Sequence, residues 1–185
     1  MNRCSLIFAA TTLCVSATIA SADHLADKDP ARGKPEMTLA GIRLTTNTTL
    51  RRVIQLYGKP NRVKAWKSGD AKVWDQYECD WVKPGLNLHV VVECPSSGNP
   101  AIGLVDLVEV RPGTRRITAS TGRGLRIGQS LDDLKRLYGR HYHLRYIPRY
   151  GIHDVALAWR GKEYTLVATL NGHNRITSLS LSAPE

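Results

Sequence analysis

Phenylalanine is almost missing from this chain, with one residue in 185. Four Trp and seven Tyr carry nearly all of the aromatic character. The common catalytic signatures are absent too. There is no G-x-S-x-G, no H-E-x-x-H and no P-loop, so nothing points to a serine hydrolase, a zinc peptidase or a nucleotide-binding enzyme. No C-x-x-C occurs, which removes the usual redox and zinc spacings. Beyond residue 22 no apolar run is long enough to span a bilayer. Acidic residues are the minority, 16 against 26 Lys and Arg. The length allows one ordinary domain or two small ones sharing a core.

The N-terminus reads as a targeting segment, residues 1–22. Arg3 gives a positive start, Leu6 to Ile19 is apolar and small, and Ala20-Ser21-Ala22 is a cleavage site of the A-x-A kind. Leu13 precedes Cys14 where a lipobox needs a small residue. The expected mature chain begins near Asp23 in the periplasm or outside the cell. It loses only Arg3 among the charges, leaving 25 basic against 16 acidic residues, a net charge of +9. In that compartment the excess suits solubility, an anionic envelope polymer or an acidic protein face better than nucleic acid. Only Cys79 and Cys94 remain as cysteines, and an oxidising compartment favours a disulfide between them. One detail opposes it. A two-residue turn at Pro84-Gly85 would set Cys79 opposite Val90, so pairing needs a longer loop or a bulge.

A repeat organises the rest. Gly41 to Gly58 reads GIRLTTNTTLRRVIQLYG, and Gly124 to Gly139 reads GLRIGQSLDDLKRLYG. Leu50, Val53, Leu56, Tyr57 and Gly58 align with Leu131, Leu134, Leu137, Tyr138 and Gly139, with a two-residue insertion in the first copy within Thr45 to Thr48. Leu50, Val53, Ile54 and Tyr57 fall on one helical stripe. Thr48 or Thr49 can cap that helix, Gly58 ends it and Pro60 stops it. In the second copy Ser130 and Asp133 form a near capping box, with Asp132 and Asp133 at the positive end of the helix dipole. After each helix the period changes to two. Strands are expected over Arg62 to Lys67, Lys72 to Val82, Leu86 to Glu93 and Leu104 to Val110. They are expected again over His143 to Tyr150, Asp154 to Arg160, Glu163 to Leu170 and Arg175 to Leu181, with a strong turn signal at Asn171-Gly172. The fold class is therefore α+β, in two tandem modules, each a short helix packed on an antiparallel sheet. The boundaries are a flexible leader over 23–37, module one over 38–112, a linker over 113–123 and module two over 124–185. Arg111 to Arg123 holds four arginines and reads as a solvated linker or exposed arm, or else as a contact for an acidic partner.

Leu50 to Pro60 and Ser130 to Gly139 carry a resemblance: Gly-aliphatic-x-aliphatic, a capped short helix, Tyr-Gly, then hairpin strands. The pattern resembles the modules of the β-lactamase inhibitory protein family. It is also similar to the small outer-membrane lipoproteins of the β-barrel assembly machinery, although this chain lacks their lipobox. It departs from the inhibitor modules in having one clear helix per module. The tandem arrangement is more like the inhibitor. The resemblance implies a secreted binding protein that contacts another protein with a sheet face, and no individual residue role is carried over from it.

Three groups of residues could carry chemistry. His141-x-His143 could ligate a metal, but no carboxylate or Cys lies near it in sequence. His153 and Asp154 are adjacent, which does not orient one on the other. Arg136 to Tyr150 interleaves cations with Tyr142, Tyr146 and Tyr150, the mix that holds single-stranded nucleic acid, and the compartment argues against that. The expectation is a non-enzymatic binding protein with no cofactor. Its alternative is an envelope structural or assembly factor held to anionic surfaces by its basic arm, and third comes an enzyme or metal-binding protein. The expected contact residues are Trp66, Trp74, Tyr77 and Trp81 of the first hairpin, with Tyr142, Tyr146 and Tyr150 of the second module, because Trp and Tyr combine apolar area with a polar tip.

Overall fold

The structure is a computed structural model and describes residues 34–67, 74–95, 98–147, 152–159 and 162–182. The segment read as a signal peptide lies outside the described residues, as does most of the leader. No helix among the described residues is long and apolar enough to cross a membrane.

The first elements among the described residues form a tight hairpin, β1 (Thr38–Leu39) and β2 (Ile42–Arg43). Ala40 and Gly41 turn it, both at positive φ, as a two-residue hairpin loop requires. Helix α1 (Leu50–Tyr57) follows. Then come β3 (Arg62–Trp66), β4 (Trp74–Lys83), β5 (Leu86–Pro95), one 3₁₀ turn and β6 (Leu104–Val110). A connecting segment leads to α2 (Leu131–Tyr138) and to β7 (His143–Ile147), β8 (Ile152–Trp159), β9 (Lys162–Leu170) and β10 (Ile176–Ser182). All eight long strands form one antiparallel sheet in the order β3-β4-β5-β6-β10-β9-β8-β7. The described residues are thus α+β, two helices on one large sheet.

Both helices start and stop by similar means. The Gly58 and Gly139 N–H groups each donate to the carbonyl four residues back, Ile54 O and Lys135 O, at 2.8 Å. Their backbones sit at φ 78, ψ −169 and φ 84, ψ −166, a region open essentially only to glycine. At the front, Leu50 N donates to Gly103 O and Leu131 N to Asn174 O, each at 3.1 Å. Val105 N donates to Thr48 O and Ile176 N to Gln129 O, each at 2.8 Å. Each helix start is therefore stapled to the beginning of the fourth strand that follows it. The caps differ. Ser130 and Asp133 make a full capping box. Thr49 is the α1 N-cap but its side chain makes no cap bond. Thr48 is turned away as well: its hydroxyl donates to Arg43 O and accepts from Thr45 N, closing a turn ahead of the helix. Thr48 thus stabilises the loop, and neither threonine side chain caps the helix.

The core lies between the helices and one sheet face. Leu50 and Val53 of α1 and Leu134 and Tyr138 of α2 join Trp81, Leu88, Val90, Val108, Leu157, Leu166 and Leu179 in one buried cluster. The end of the expected leader belongs to this packing. Glu36 is only 4% exposed, and its carboxylate accepts from Met37 N, Thr38 N, Arg123 N and the Tyr138 hydroxyl.

Candidate protein-contact face

Side chains alternate across a sheet, so residues opposite one another in the register share a face. One transverse row on the face away from the helices can be followed across all eight strands: Arg62, Asp80, His89, Glu109, Ser180, Val167, Ala156 and His143. Val91, Leu107 and Ala158 share that face, and though buried they stand outside the core cluster. The row changes character at its middle. The β3–β6 half is charged, whereas the β10–β8 part is Ser, Val and Ala.

The charged half is tightly paired. His89 Nδ1 and Asp80 Oδ1 are 2.7 Å apart, and His89 is 5% exposed. Arg111 Nε donates to Glu109 Oε2 at 2.7 Å, and its Nη1 lies 3.8 Å from Asp80 Oδ1. Low exposure and shared partners make this network more consequential than isolated surface pairs. A His held by a carboxylate through Nδ1 is also half of a general-base arrangement. Among the described residues no hydroxyl or thiol is hydrogen-bonded to its other ring nitrogen, so no nucleophile is aligned with it. The network presents a fixed charge pattern.

An aromatic corner adjoins it. Trp66 is 45% exposed and Trp74 48%, and both lie on the helix-free face by register. Trp66 Nε1 donates to Glu78 Oε1 at 2.9 Å, and Lys64 Nζ sits 3.6 Å from the centre of its ring. These contacts hold an exposed indole in one orientation. The two Trp are not directly opposed. Trp66 faces Gln76, which leaves Trp74 on the diagonal. Residues 68–73, which join β3 to β4, lie outside the described residues.

The other expected contact residues fare differently. Trp81 is corrected: it is fully buried in the core, and its indole N–H donates to Gly58 O at 2.8 Å. It anchors the end of α1, a position whose truncation to Ala costs roughly 3–5 kcal/mol. Tyr77 shares the parity of Trp81 and is half-buried against the core; burial, the Cys94 thiol and Asp75 together raise its pKa. Tyr142 is half-buried against the core as well. Tyr146 stands opposite His153 in the β7–β8 ladder. Tyr150 lies outside the described residues. The strand parity that separates Trp74 from Trp81 was visible in the sequence. Its assignment to faces was not, because β4 carries aromatics on both sides.

The Cys79–Cys94 disulfide is likewise corrected. Both thiols are free and buried. The Pro84-Gly85 turn is short, with Lys83 paired to Leu86, so Cys79 faces Val90 and Cys94 faces Asp75. Four residues of strand separate the two positions, roughly 13 Å at the rise of an extended chain, about twice the reach of a disulfide. Burial first, and then the Asp80 charge, pushes the Cys79 thiol up to about 11. Burial and Asp75 also raise Cys94, against a lowering hydrogen bond from Tyr77. Neither forms a ready thiolate.

The four arginines of Arg111 to Arg123 divide by function. Arg111 belongs to the charged network. Arg123 packs on the Tyr138 ring at 4.8 Å and donates to Leu137 O and Lys34 O. Arg115 and Arg116 stay exposed. Between them and the next helix Ile117 is buried in the core, so the segment is pinned to the fold. Among the described residues no group of three or more His, Cys, Asp or Glu could hold a metal ion.

No protein-family model matches this sequence, and no curated protein matches it. Two solved structures are similar to it. A DUF4309 family protein (YjgB) from Bacillus subtilis is 14% identical, with a TM-score of 0.44 over 91% of this chain and 97% of its own. A proposed beta-lactamase inhibitor protein from Streptococcus mutans is 12% identical, with a TM-score of 0.30 over 86% of this chain and 93% of its own. Neither likeness assigns a function to this chain.

Proposed function

We propose that the mature chain is a secreted or periplasmic, non-enzymatic binding protein that holds another protein against its helix-free sheet face, as an inhibitor or an escort. The observation that carries this reading is the exposed, oriented Trp66 and nearby Trp74 beside a paired Asp80–His89–Glu109–Arg111 network on a face no described helix covers. Rigid aromatics next to fixed charges are the usual makings of an interaction hot spot. The reading includes two copies of one module, 38–112 and 124–185. The twin staples at the helix starts support it. So does the central pairing, in which Val110 faces Leu179 and Val108 faces Leu181 around Glu109 and Ser180. Under that pairing the copies share their packing and differ on the open face, where Asp80 and His89 of one copy correspond to Ala156 and Val167 of the other.

The test is capture by the immobilised mature chain from periplasmic and extracellular extracts. A W66A/W74A variant and an S180R/V167E variant each block a different part of the face. An R51A variant on exposed α1 is the control. The expected result is one protein retained by the wild type and R51A and lost from both face variants. Capture indifferent to both face variants would sink the reading.

A further inference from the structure

We propose that the groove beside the connecting segment binds an extended acidic peptide segment of the protein partner. The proposal rests on the protein-binding reading and gives that partner a second foothold. Residues 112–118 form one wall and Arg126 to Gln129 the other, enclosing about 940 Å³. Arg115, Arg116 and Arg126 all line it. Among the described residues none of the three makes a salt bridge, whereas Arg111, five residues or fewer before the first two, pairs with Glu109 and lies near Asp80. Three unneutralised guanidiniums around one groove give it a positive field and forked donors for carboxylates.

The wall also favours a peptide over a phosphate polymer. From Gly113 to Ile117 no main-chain amide makes a hydrogen bond among the described residues, while Arg111 N and Thr118 N on either side are bonded to Asn87 O and Gly85 O. The segment is thus held at both ends with a free run of amides between. A peptide brings carboxylates for the guanidiniums and a main chain for that run. Position supports the same occupant. Pro112 directly follows Arg111, the last residue of the charged network, so a protein lying on the sheet face reaches the groove at its border.

The experiment measures binding of a labelled oligo-glutamate, with oligo-glutamine as control, to the mature chain at low and physiological ionic strength. Three exposed ion pairs predict that R115A/R116A/R126A weakens oligo-glutamate binding roughly tenfold. R51A/R52A/R140A, with the same net charge, should bind as the wild type does, and matching unfolding curves show that both triples fold. The proposal fails if the two triples lose binding equally, since net charge alone would then be responsible. It fails also if oligo-glutamine binds as well. Binding of inorganic polyphosphate or anionic vesicles in place of oligo-glutamate would overturn it in favour of a phosphate site. The W66A/W74A variant should keep oligo-glutamate binding, so loss of partner capture there and loss of peptide binding here are separate outcomes.

Discussion

Removing the Glu36 side chain should destabilise the protein more than any other single change in the stretch read as a leader. Glu36 is nearly solvent-free, and its two oxygens accept four hydrogen bonds. Oε1 takes Met37 N at 3.0 Å and Thr38 N at 2.9 Å. Oε2 takes Arg123 N at 3.2 Å and the Tyr138 hydroxyl at 2.7 Å. The residue therefore ties the start of the chain to the connecting segment and to the end of α2. Glu36→Ala leaves three main-chain donors without a partner, each worth about 1–3 kcal/mol when buried. Water entering the vacated space offsets part of this, so the expected loss is about 3 kcal/mol. For a chain this size that lowers Tm by roughly 6–12 °C. Tyr138→Phe removes only one of the four donors and keeps the ring, so about 1–2 kcal/mol is expected. Glu36→Gln should fall between them, because Oε1 survives while an amide group meets the Arg123 N–H. Urea unfolding followed by far-UV circular dichroism gives the order, with an unchanged slope confirming that only stability moved. A Glu36→Ala variant within about 0.5 kcal/mol of the wild type, the range of ordinary surface changes, would refute the reasoning.

Three further expectations concern the helix caps, Asp133 and the cysteines. Ser130→Ala should cost about 1 kcal/mol in urea unfolding, while Thr49→Ala at the other helix costs nearly nothing, because only Ser130 makes a cap bond. Hydrogen bonds from Ser130 N and Oγ hold the Asp133 carboxyl below the usual range, so its contribution is present above its unfolded value near 3.8 and is lost as pH falls through the folded one; Asp133→Asn should flatten the acid limb of the stability profile. In the folded protein neither Cys79 nor Cys94 should react with a thiol reagent at mildly alkaline pH, and both should react after unfolding without reductant. The stability from keeping the Cys79 thiol neutral is complete below its unfolded value of about 9 and is lost as pH rises through about 11; rapid labelling of the native protein, or two thiols recovered only after reduction, would contradict the burial or the free state.

The helices were legible because their information is local. The stripe Leu50, Val53, Ile54, Tyr57, the closing glycines and the Ser130–Asp133 box each lie within one or two turns, where spacing and chemistry decide alone. Most strands were legible to within a residue or two for the same reason, and Leu104–Val110 was read with its observed ends. What sequence could not supply was long-range pairing. Nothing near Val110 indicates that Leu179 lies beside it, yet that contact joins the two halves into one sheet. The face assignment of β4 failed because Trp74, Tyr77 and Trp81 place aromatics on both sides of one strand, and hydrophobicity cannot choose between them. The cysteines were misread where two rules conflicted. The short Pro84-Gly85 turn fixed the register, and the register overrode the preference for pairing. Glu36 was misplaced because a charged residue directly after Pro35, in a charged stretch without apolar periodicity, looks like solvent-facing chain, and its partners Arg123 and Tyr138 are far away in sequence.

On the two-copy reading, the divided row also constrains the partner. A symmetric face would suit a symmetric ligand or a second copy of the chain. Here Arg62, Asp80, His89 and Glu109 on one side meet Ser180, Val167 and Ala156 on the other, with a single His143 at the far edge. The charged half can reject a mismatched partner strongly, because displacing the Asp80–His89 pairing without replacing its hydrogen bonds leaves buried polar groups unmatched. The small half can reject little, since Ser, Val and Ala side chains offer shape and few obligatory bonds. Specificity should therefore sit in β3–β6, and tolerance of variation in β8–β10. The oriented Trp66 stands at the charged end, and the Arg115–Arg116–Arg126 groove adjoins Arg111 in the same half. A partner recognised this way needs a surface of mixed charge facing the first copy and a flat, weakly polar surface facing the second.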